Sequence, residues 1–221
     1  MNVSLLEWGT AWEDLGRKPG VSIAAGTVTN NVDLLLEGKI LVRVPSLDQE
    51  VWARLAAAGA GNGAGFFYVP RIDDEVLVAL AGDDPRDAFV VGGLWNDRDR
   101  VPVGDPVTAL AKRIIRSGLT AGAGHEIEMD DLAQSITITT STQQKITMNP
   151  ATIELTNLAG TVSISLNNAT QGVTITAAAS IALEAPRISL KGATVEINGA
   201  ATTTLKSAGV CNVTAPLVKI N

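Results

Sequence analysis

From Ser135 to Asn221 the apolar residues come in pairs separated by one position: Ile136/Ile138, Ile146/Met148, Ile153/Leu155, Val162/Ile164, Val173/Ile175, Ile181/Leu183, Ile188/Leu190, Val195/Ile197 and Val218/Ile220. Residues at i and i+2 share one face of an extended strand. From Val173 onward the pairs start at 173, 181, 188 and 195, a spacing of 8, 7 and 7. Such a unit has room for one short strand and a tight corner, and none for a helix. The pattern predicts a β-solenoid of strands stacked along an axis.

The front of the chain carries a different pattern. Val21–Val28 alternates weakly, and Gly38–Val44 alternates well, with Ile40, Val42 and Val44 on one face before Pro45 stops the run. Val51–Leu55, Phe66–Pro70, Glu75–Leu80 and Ala88–Trp95 read as further strands, separated by the Gly59–Gly65 loop and the Gly82–Asp87 turn. Five or six short strands without a helical run predict a closed or nearly closed all-β barrel over residues 21–103. Residues 1–20 form a lead-in that ends at Pro19-Gly20. There Trp8 and Trp12, four apart, would share a helical face. Residues 104–134 read as a connector, in which Gly118, Gly122 and Gly124 give backbone freedom. Alternation resumes at His125–Met129, Asp130-Asp131 makes a turn, and residues 135–221 form the stacked tail.

Composition divides the chain at the same place. Residues 1–103 hold 24 of the 40 charged residues and all eight aromatics, whereas residues 134–221 hold 8 charges and no aromatic. A mixed globular domain therefore precedes a region of Thr, Ser, Ala and Asn with aliphatic pairs. The net charge of −6 and pI near 4.8 argue against a nucleic-acid partner, which requires clustered Lys and Arg to displace counterions from phosphate. Lys112, Arg113 and Arg116 are the densest basic group and read as a solvated connector. The single cysteine, Cys211, allows no intrachain disulfide and reads as a small packed residue. No run of signal-peptide length opens the chain and no 18-residue apolar segment occurs. The expectation is synthesis in the cytoplasm without export or membrane anchoring.

Little in the sequence supports chemistry. Asp73, Asp74, Glu75, Asp83, Asp84, Asp87, Asp97 and Asp99 lie in turn-forming stretches without the spacing of a calcium loop. The lone histidine, His125, has no Cys or His partner and is only a weak metal candidate. Gly59–Gly65 lacks the Lys-Ser/Thr of a phosphate loop. Asn168-Ala-Thr170 and Asn212-Val-Thr214 match the glycosylation sequon, read as chance in Thr-rich sequence. The tail acids Glu154, Glu184 and Glu196 are spread over many layers, unlike the clustered groups of solenoid hydrolases. The reading is non-enzymatic, with no cofactor and no metal.

The barrel blocks resemble one family closely. Gly38-Lys-Ile-Leu-Val-Arg-Val-Pro45, Trp52-Ala-Arg54, Phe66-Phe-Tyr-Val-Pro-Arg-Ile-Asp-Asp-Glu-Val-Leu-Val-Ala-Leu80, and Asp84-Pro-Arg with Val90-Val-Gly-Gly-Leu-Trp-Asn96 follow its pattern in order. It is that of the OB-fold domain of phage baseplate assembly protein V and of the valine-glycine repeat (VgrG) spike proteins of type VI secretion. Ile115-Arg-Ser-Gly118 and Gly124-His-Glu-Ile-Glu-Met-Asp-Asp131 are similar to the segment that leads into the spike β-helix, here interrupted by Leu119 to Ala123. The resemblance implies an OB-fold barrel followed by a C-terminal intertwined triple-stranded β-helix in a homotrimer, the central spike of a contractile injection machine. It implies a separate trimeric hub protein and other baseplate components as partners, a target membrane met only transiently, and a PAAR-type tip protein at the C-terminus. The long N-terminal hub region, a lysozyme-like segment and a C-terminal His-x-His of that family have no counterpart in this sequence. Assembly is expected in a phage tail or a contractile injection particle.

Physical reasoning from the repeat leads to the same oligomer. Each unit offers two aliphatic side chains, at about 1.5–3 kcal/mol per buried side chain. That barely offsets the ordering of about eight residues. Three chains around one axis pool their pairs and remove exposed strand edges. The expected trimer core is Ile136, Ile138, Ile146, Val162, Ile164, Val173, Ile175, Ile181, Leu183, Ile188, Leu190, Val195, Ile197, Val218 and Ile220. Trp8 and Trp12 are the expected hub contacts, and Lys219, Ile220 and Asn221 the expected tip contacts. The alternative reading is an OB-fold binding module for oligosaccharide or single-stranded nucleic acid displayed on the solenoid, with Phe66, Phe67 and Tyr68 available for stacking.

Overall fold

A computed structural model describes residues 20–82, 84, 86–118 and 123–220. Five strands make a closed barrel: β1 (Val21–Asn30), β2 (Lys39–Val44), β3 (Gln49–Leu55), β4 (Glu75–Ala81) and β5 (Ala88–Gly93), in the order β1-β2-β3-β5-β4. The ladders are antiparallel except that of β3 with β5, which is parallel. Closure depends on the ten-residue β1. Its first seven residues pair with β4 and its last four with β2. The order and the single parallel pair are those of an OB-fold.

The core follows from alternation. Ile40, Val42 and Val44 of β2, Val51 and Ala53 of β3, Val76, Val78 and Leu80 of β4, and Ala88 and Val90 of β5 point inward with Val28. No polar or charged residue is buried among them. Gly26 sits where β1 crosses β2. A Cβ there would stand 2.6 Å from Val42 Cγ1 and 3.0 Å from the Arg43 carbonyl oxygen. A side chain at this position would force Val42 or the Arg43 carbonyl to shift.

One expected strand is absent. Phe66–Pro70 forms no ladder, and Phe66, Phe67 and Tyr68 are exposed. The Gly61–Ala64 bridge makes a tight turn inside the β3–β4 connection, and the five strands already complete the barrel without this segment. Aromatic and β-branched content marks a half-buried surface rather than pairing as such, which is why the run resembles a strand.

Residues 112–177 form one seven-stranded antiparallel sheet: β6 (Lys112–Arg116), β7 (Glu126–Asp130), β8 (Ser135–Thr139), β9 (Lys145–Met148), β10 (Thr152–Thr156), β11 (Val162–Asn167) and β12 (Gly172–Ala177), each beside its neighbour in sequence. This corrects the expectation that strands from residue 135 pair only between chains. Up to Ala177 the ladder lies within one chain. Two of the strands, β6 and β7, come from the segment read as connector. A one-turn helix α1 (Pro106–Ala109) precedes them, with the Asp105 side chain accepting the Thr108 N–H at 2.9 Å as its N-cap.

The meander has a repeated local cause. A short polar residue at the end of a strand accepts backbone N–H groups of the turn that follows: Asp130 from Ala133, Thr140 from Gln144, Asn149 from Ala151 and Thr152, Asn157 from Val162, and Asn167 from Ala169 and Thr170. Such side chains mimic the backbone and favour reversal over continuation. Gln134, Gln143, Gly160 and Gln171 take the positive φ values these turns need.

Beyond Ala177 the geometry changes. Residues 178–220 are exposed throughout and belong to no ladder. Among the described residues no backbone–backbone hydrogen bond involves this segment. It is a separate compact unit from the preceding chain.

Replacing Gly26 with alanine is expected to lower barrel stability by about 1–3 kcal/mol through overpacking. A fall in the urea midpoint of the Gly26→Ala variant checks this. An unchanged midpoint would mean that β1 and β2 do not meet as described.

Candidate assembly surface

The β6–β12 sheet has two unlike faces. The ladder places Ile115, Ile127, Ile138, Ile146, Leu155 and Ile164 opposite one another in a row across the strands. A second row runs Met129, Ile136, Met148, Ile153 and Leu166. Directly opposed residues point to the same side of a sheet, and the two rows are separated by even steps, so both lie on one face. The other face carries Glu128, Thr137, Thr147, Glu154 and Ser165 in register.

The apolar face is open. Ile136, Ile153, Leu155, Ile164 and Leu166 are between 37% and 45% exposed. Meanwhile the Thr and Ser residues of the opposite face are half-buried. An aliphatic surface continuous across six strands and left in water marks an interaction site.

Ion pairs fix the polar edge. The Lys112 ammonium reaches Glu128 Oε1 at 2.9 Å and Asp130 Oδ2 at 3.7 Å, and Arg116 pairs with Glu126. Two of the three cations of the 112–116 stretch are therefore matched by carboxylates on β7, and the basic cluster is not a free patch. The Glu128 carboxylate holds the Lys112 amine above its ordinary value. The Asp130 carboxyl lies below its ordinary value, chiefly through the Ala133 N–H and then through Lys112. His125 Nδ1 accepts the Ser141 N–H at 3.4 Å, while the His125 backbone N–H donates to Ser117 Oγ. This histidine joins turns, and among the described residues no group of three or more His, Cys, Asp or Glu is placed to hold a metal.

The loop acids of the barrel serve as caps. Asp74 accepts the Arg71 N–H and pairs with its guanidinium, Glu75 accepts the Asn96 side-chain amide at 2.7 Å, and Asp84 binds Arg86 through both oxygens. The Arg86 guanidinium holds the Asp84 carboxyl down to about 2. Asp83 lies outside the described residues.

The expected core residues divide into two groups. Ile136, Ile138, Ile146, Val162 and Ile164 lie on the apolar face by register or by parity on their strand. Val173 and Ile175 of β12 are exposed, as are Ile181, Leu183, Ile188, Leu190, Val195, Ile197, Val218 and Ile220 in the unpaired segment. Lys219 is also exposed. Trp8, Trp12 and Asn221 lie outside the described residues. The expected core left out Ile115, Ile127, Met129, Met148, Ile153, Leu155 and Leu166, although Ile146/Met148 and Ile153/Leu155 stood among the apolar pairs that share a face. It also missed Thr203/Leu205 and Cys211/Val213. With these included the pair starts run 173, 181, 188, 195, 203, 211 and 218 without a gap. Cys211 thus occupies an apolar-pair position. Among the described residues no helix is long and apolar enough to cross a membrane.

Comparison with known proteins bears on the barrel. Residues 24–95 match the family described as the type VI secretion system/phage-baseplate injector OB domain. The type VI secretion system spike protein VgrG1c of Pseudomonas aeruginosa is 32% identical over 83 residues, covering 36% of this chain and 11% of that protein. VgrG1a of the same organism is 32% identical over 84 residues, covering 36% of this chain and 13% of the relative. The chain therefore matches only a small part of these relatives' length. Within that part it is baseplate V/VgrG-like, as its four sequence blocks imply.

Because the folded Asp130 carboxyl titrates below its ordinary value of 3.8, its contribution is present above that pH. It is lost as pH falls through the lower folded value. Hydrogen exchange at the Ala133 amide is expected to quicken below about pH 4, beyond the intrinsic acid dependence, and to be fast at every pH in Asp130→Ala. Protection unchanged by pH and by the substitution would remove Asp130 as the turn's anchor.

Proposed function

We propose that this chain is a non-enzymatic spike subunit of a contractile phage-tail-like injection machine, acting as a homotrimer. A separate trimeric hub and baseplate components stand on its barrel side. The observation that carries this reading is the segment 178–220. Among the described residues its backbone makes no backbone–backbone hydrogen bond, yet it repeats an apolar pair every seven or eight residues behind an injector-type OB barrel.

The geometry of an interlaced rod accounts for that segment. If each unit crosses one face of a triangular prism and then turns a corner, a chain returns to the same face only every third unit. Its own strands on that face are then about 14 Å apart, three times the strand spacing. They cannot hydrogen-bond to each other. The two intervening positions are filled by the other two chains, and every ladder bond crosses between chains. A single chain taken alone leaves such a segment extended and unpaired.

The meander plays a different part. Its strands are paired within the chain, so three copies contribute whole sheets and meet through the Ile138 and Ile136 rows. Strands of four to six residues give each sheet a narrow apolar strip. Two narrow strips face to face leave their margins wet, whereas three enclose a common core. The wall is then stiff, which suits penetration of an envelope when a sheath contracts.

Three outcomes test the reading. Sedimentation equilibrium is expected to give about 69 kDa, three times the 22.9 kDa chain, and a monomer in native buffer would sink the proposal. Placing aspartate at both Leu155 and Ile164 buries uncompensated charge in the proposed core and is expected to yield monomers with an intact barrel by circular dichroism. Mild oxidation is expected to link two of the three Cys211 thiols at the axis, giving a dimer band on a non-reducing gel that the Cys211→Ser variant lacks. Absence of that band in a confirmed trimer would place Cys211 off the axis.

A further inference from the structure

The outer surface of the barrel has two unlike sides. Outward positions on β2 and β3 include Lys39, Arg43, Glu50 and Arg54. On β1 and β4 the same alternation gives a different result. Val76, Val78 and Leu80 point inward, so Leu77, Ala79 and Ala81 point outward. The ladder sets these three opposite Ala25, Ile23 and Val21. Val91 extends this side onto β5. Val21 is 68% exposed, Ile23 63% and Val91 54%. At the far edge Arg54 lies over the Phe89 ring, 4.5 Å from its centroid, where the polar side begins. An uncharged apolar face over three neighbouring strands marks a contact surface. Its alanines make it shallow, so it has room for bulky side chains.

The chain itself carries a matching segment. Residues 1–19 lie outside the described residues, and their sequence has the pattern of an amphipathic helix. Leu5, Trp8, Trp12 and Leu15 are spaced 3, 4 and 3 apart and share one helical face, while Glu7, Glu13 and Asp14 fall on the other. Ser4 and Glu7 have the spacing of a capping box, and Val3 and Trp8 that of a hydrophobic staple. Gly16 follows the last apolar residue as a C-terminal stop. A helix over residues 5–15 is about 16 Å long, comparable with the roughly 20 Å of the β1–β4 ladder. Where the segment ends selects the surface it meets. The Gly82 N–H donates to the Gly20 carbonyl at 3.1 Å, so the chain enters the barrel at the edge of the apolar face, next to Val21. The stretch from Gly16 to Gly20 reaches up to about 13 Å, enough to fold a helix back over the strand it leads into. We propose that residues 5–15 lie as a helix on the β1–β4–β5 face of their own barrel, with Trp8 and Trp12 seated over the alanines of β1 and β4. Charge agrees with this placement. Arg17 and Lys18 come just before Gly20, beside the β4–β5 turn, where Asp84 pairs with Arg86 and Asp87 is in no ion pair among the described residues. The two tryptophans expected at a hub contact then cover the barrel instead.

The inference does not depend on the trimer and is tested on the full chain without other proteins. With Trp52→Phe and Trp95→Phe, Trp8 and Trp12 are the only indoles left. Their emission is expected to be blue-shifted from that of the urea-unfolded chain and several-fold less quenched by acrylamide. Adding Ile23→Asp, at an exposed site of β1, is expected to return both readings to the unfolded values while the parent circular dichroism spectrum is kept. Ala81→Glu, at the exposed end of β4, repeats the test on the neighbouring strand should Ile23→Asp disturb the barrel. Water-exposed indoles in the parent overturn the inference and leave the face to a hub. Emission unmoved by the face variants overturns it as well. A photoreactive benzoylphenylalanine in place of Trp12 then identifies what is covered. Unlabelled and isotope-labelled chains are refolded together, and the expected cross-links join position 12 to β1 or β4 peptides of the same label. Cross-links between labels give the face to a second copy, and cross-links to other regions, or none, place the segment elsewhere; each of these results overturns the inference.

Discussion

An extended backbone must find hydrogen-bond partners, and in this chain the source of those partners changes along its length. In the barrel, closure supplies them, because β1 is long enough to pair with β4 along one half and β2 along the other. In the sheet each strand takes them from the strand before and after it. In residues 178–220 the described part of the chain supplies no backbone partner, though the residue types are still those of strands. An unpaired amide in water costs little, but one buried against an apolar core costs the free energy of a lost hydrogen bond. The segment can therefore bury its apolar pairs only where other strands lie alongside, and its pairing requirement and its apolar pattern call for the same partner.

The change at Ala177 coincides with a change in turn chemistry. Up to that point the five hairpins from β7 to β12 each carry an Asp, Asn or Thr that turns the chain back on itself. Past it the repeat shortens to seven or eight residues and the Asx anchors stop following the strands, so the chain keeps advancing. Local hydrogen bonds from a single side chain thus favour folding a run of alternating Thr and Ile back against itself. Ion pairs of Lys112 with Glu128 and Asp130 and of Arg116 with Glu126 link β6 to β7 at the polar edge.

The barrel stands apart in energetics. It has a closed core of small and medium aliphatics, no buried polar group and a glycine at its tightest crossing. Its outer face carries polar and aromatic side chains, and along β3 alternation places them, since fixing Val51 and Ala53 inward fixes Glu50, Trp52 and Arg54 outward.

Much of this was legible from residue order. Alternation located four of the five barrel strands to within a few residues, and β5 at its start. The i, i+2 pairs located β8 to β12, while those from Ile181 onward fall on no ladder, and the four motif blocks named the barrel's kind. Phe66–Tyr68 misled because its aromatic content is what a strand needs, while pairing depends on whether a sheet has an edge left to offer, and a closed barrel has none. The β6–β12 meander was invisible because an i, i+2 pair states only which side chains share a face, not which strand lies alongside. That information sat in Asp130, Thr140, Asn149, Asn157 and Asn167, whose turns were not read as a set. The sequence by itself determined which residues are extended and which face of each strand is apolar, since both follow from a period of two. Only the tertiary structure decided which strands pair, where pairing within the chain ends, and which outward side chains meet across β2, β3 and β5, because those are distances between segments remote in sequence.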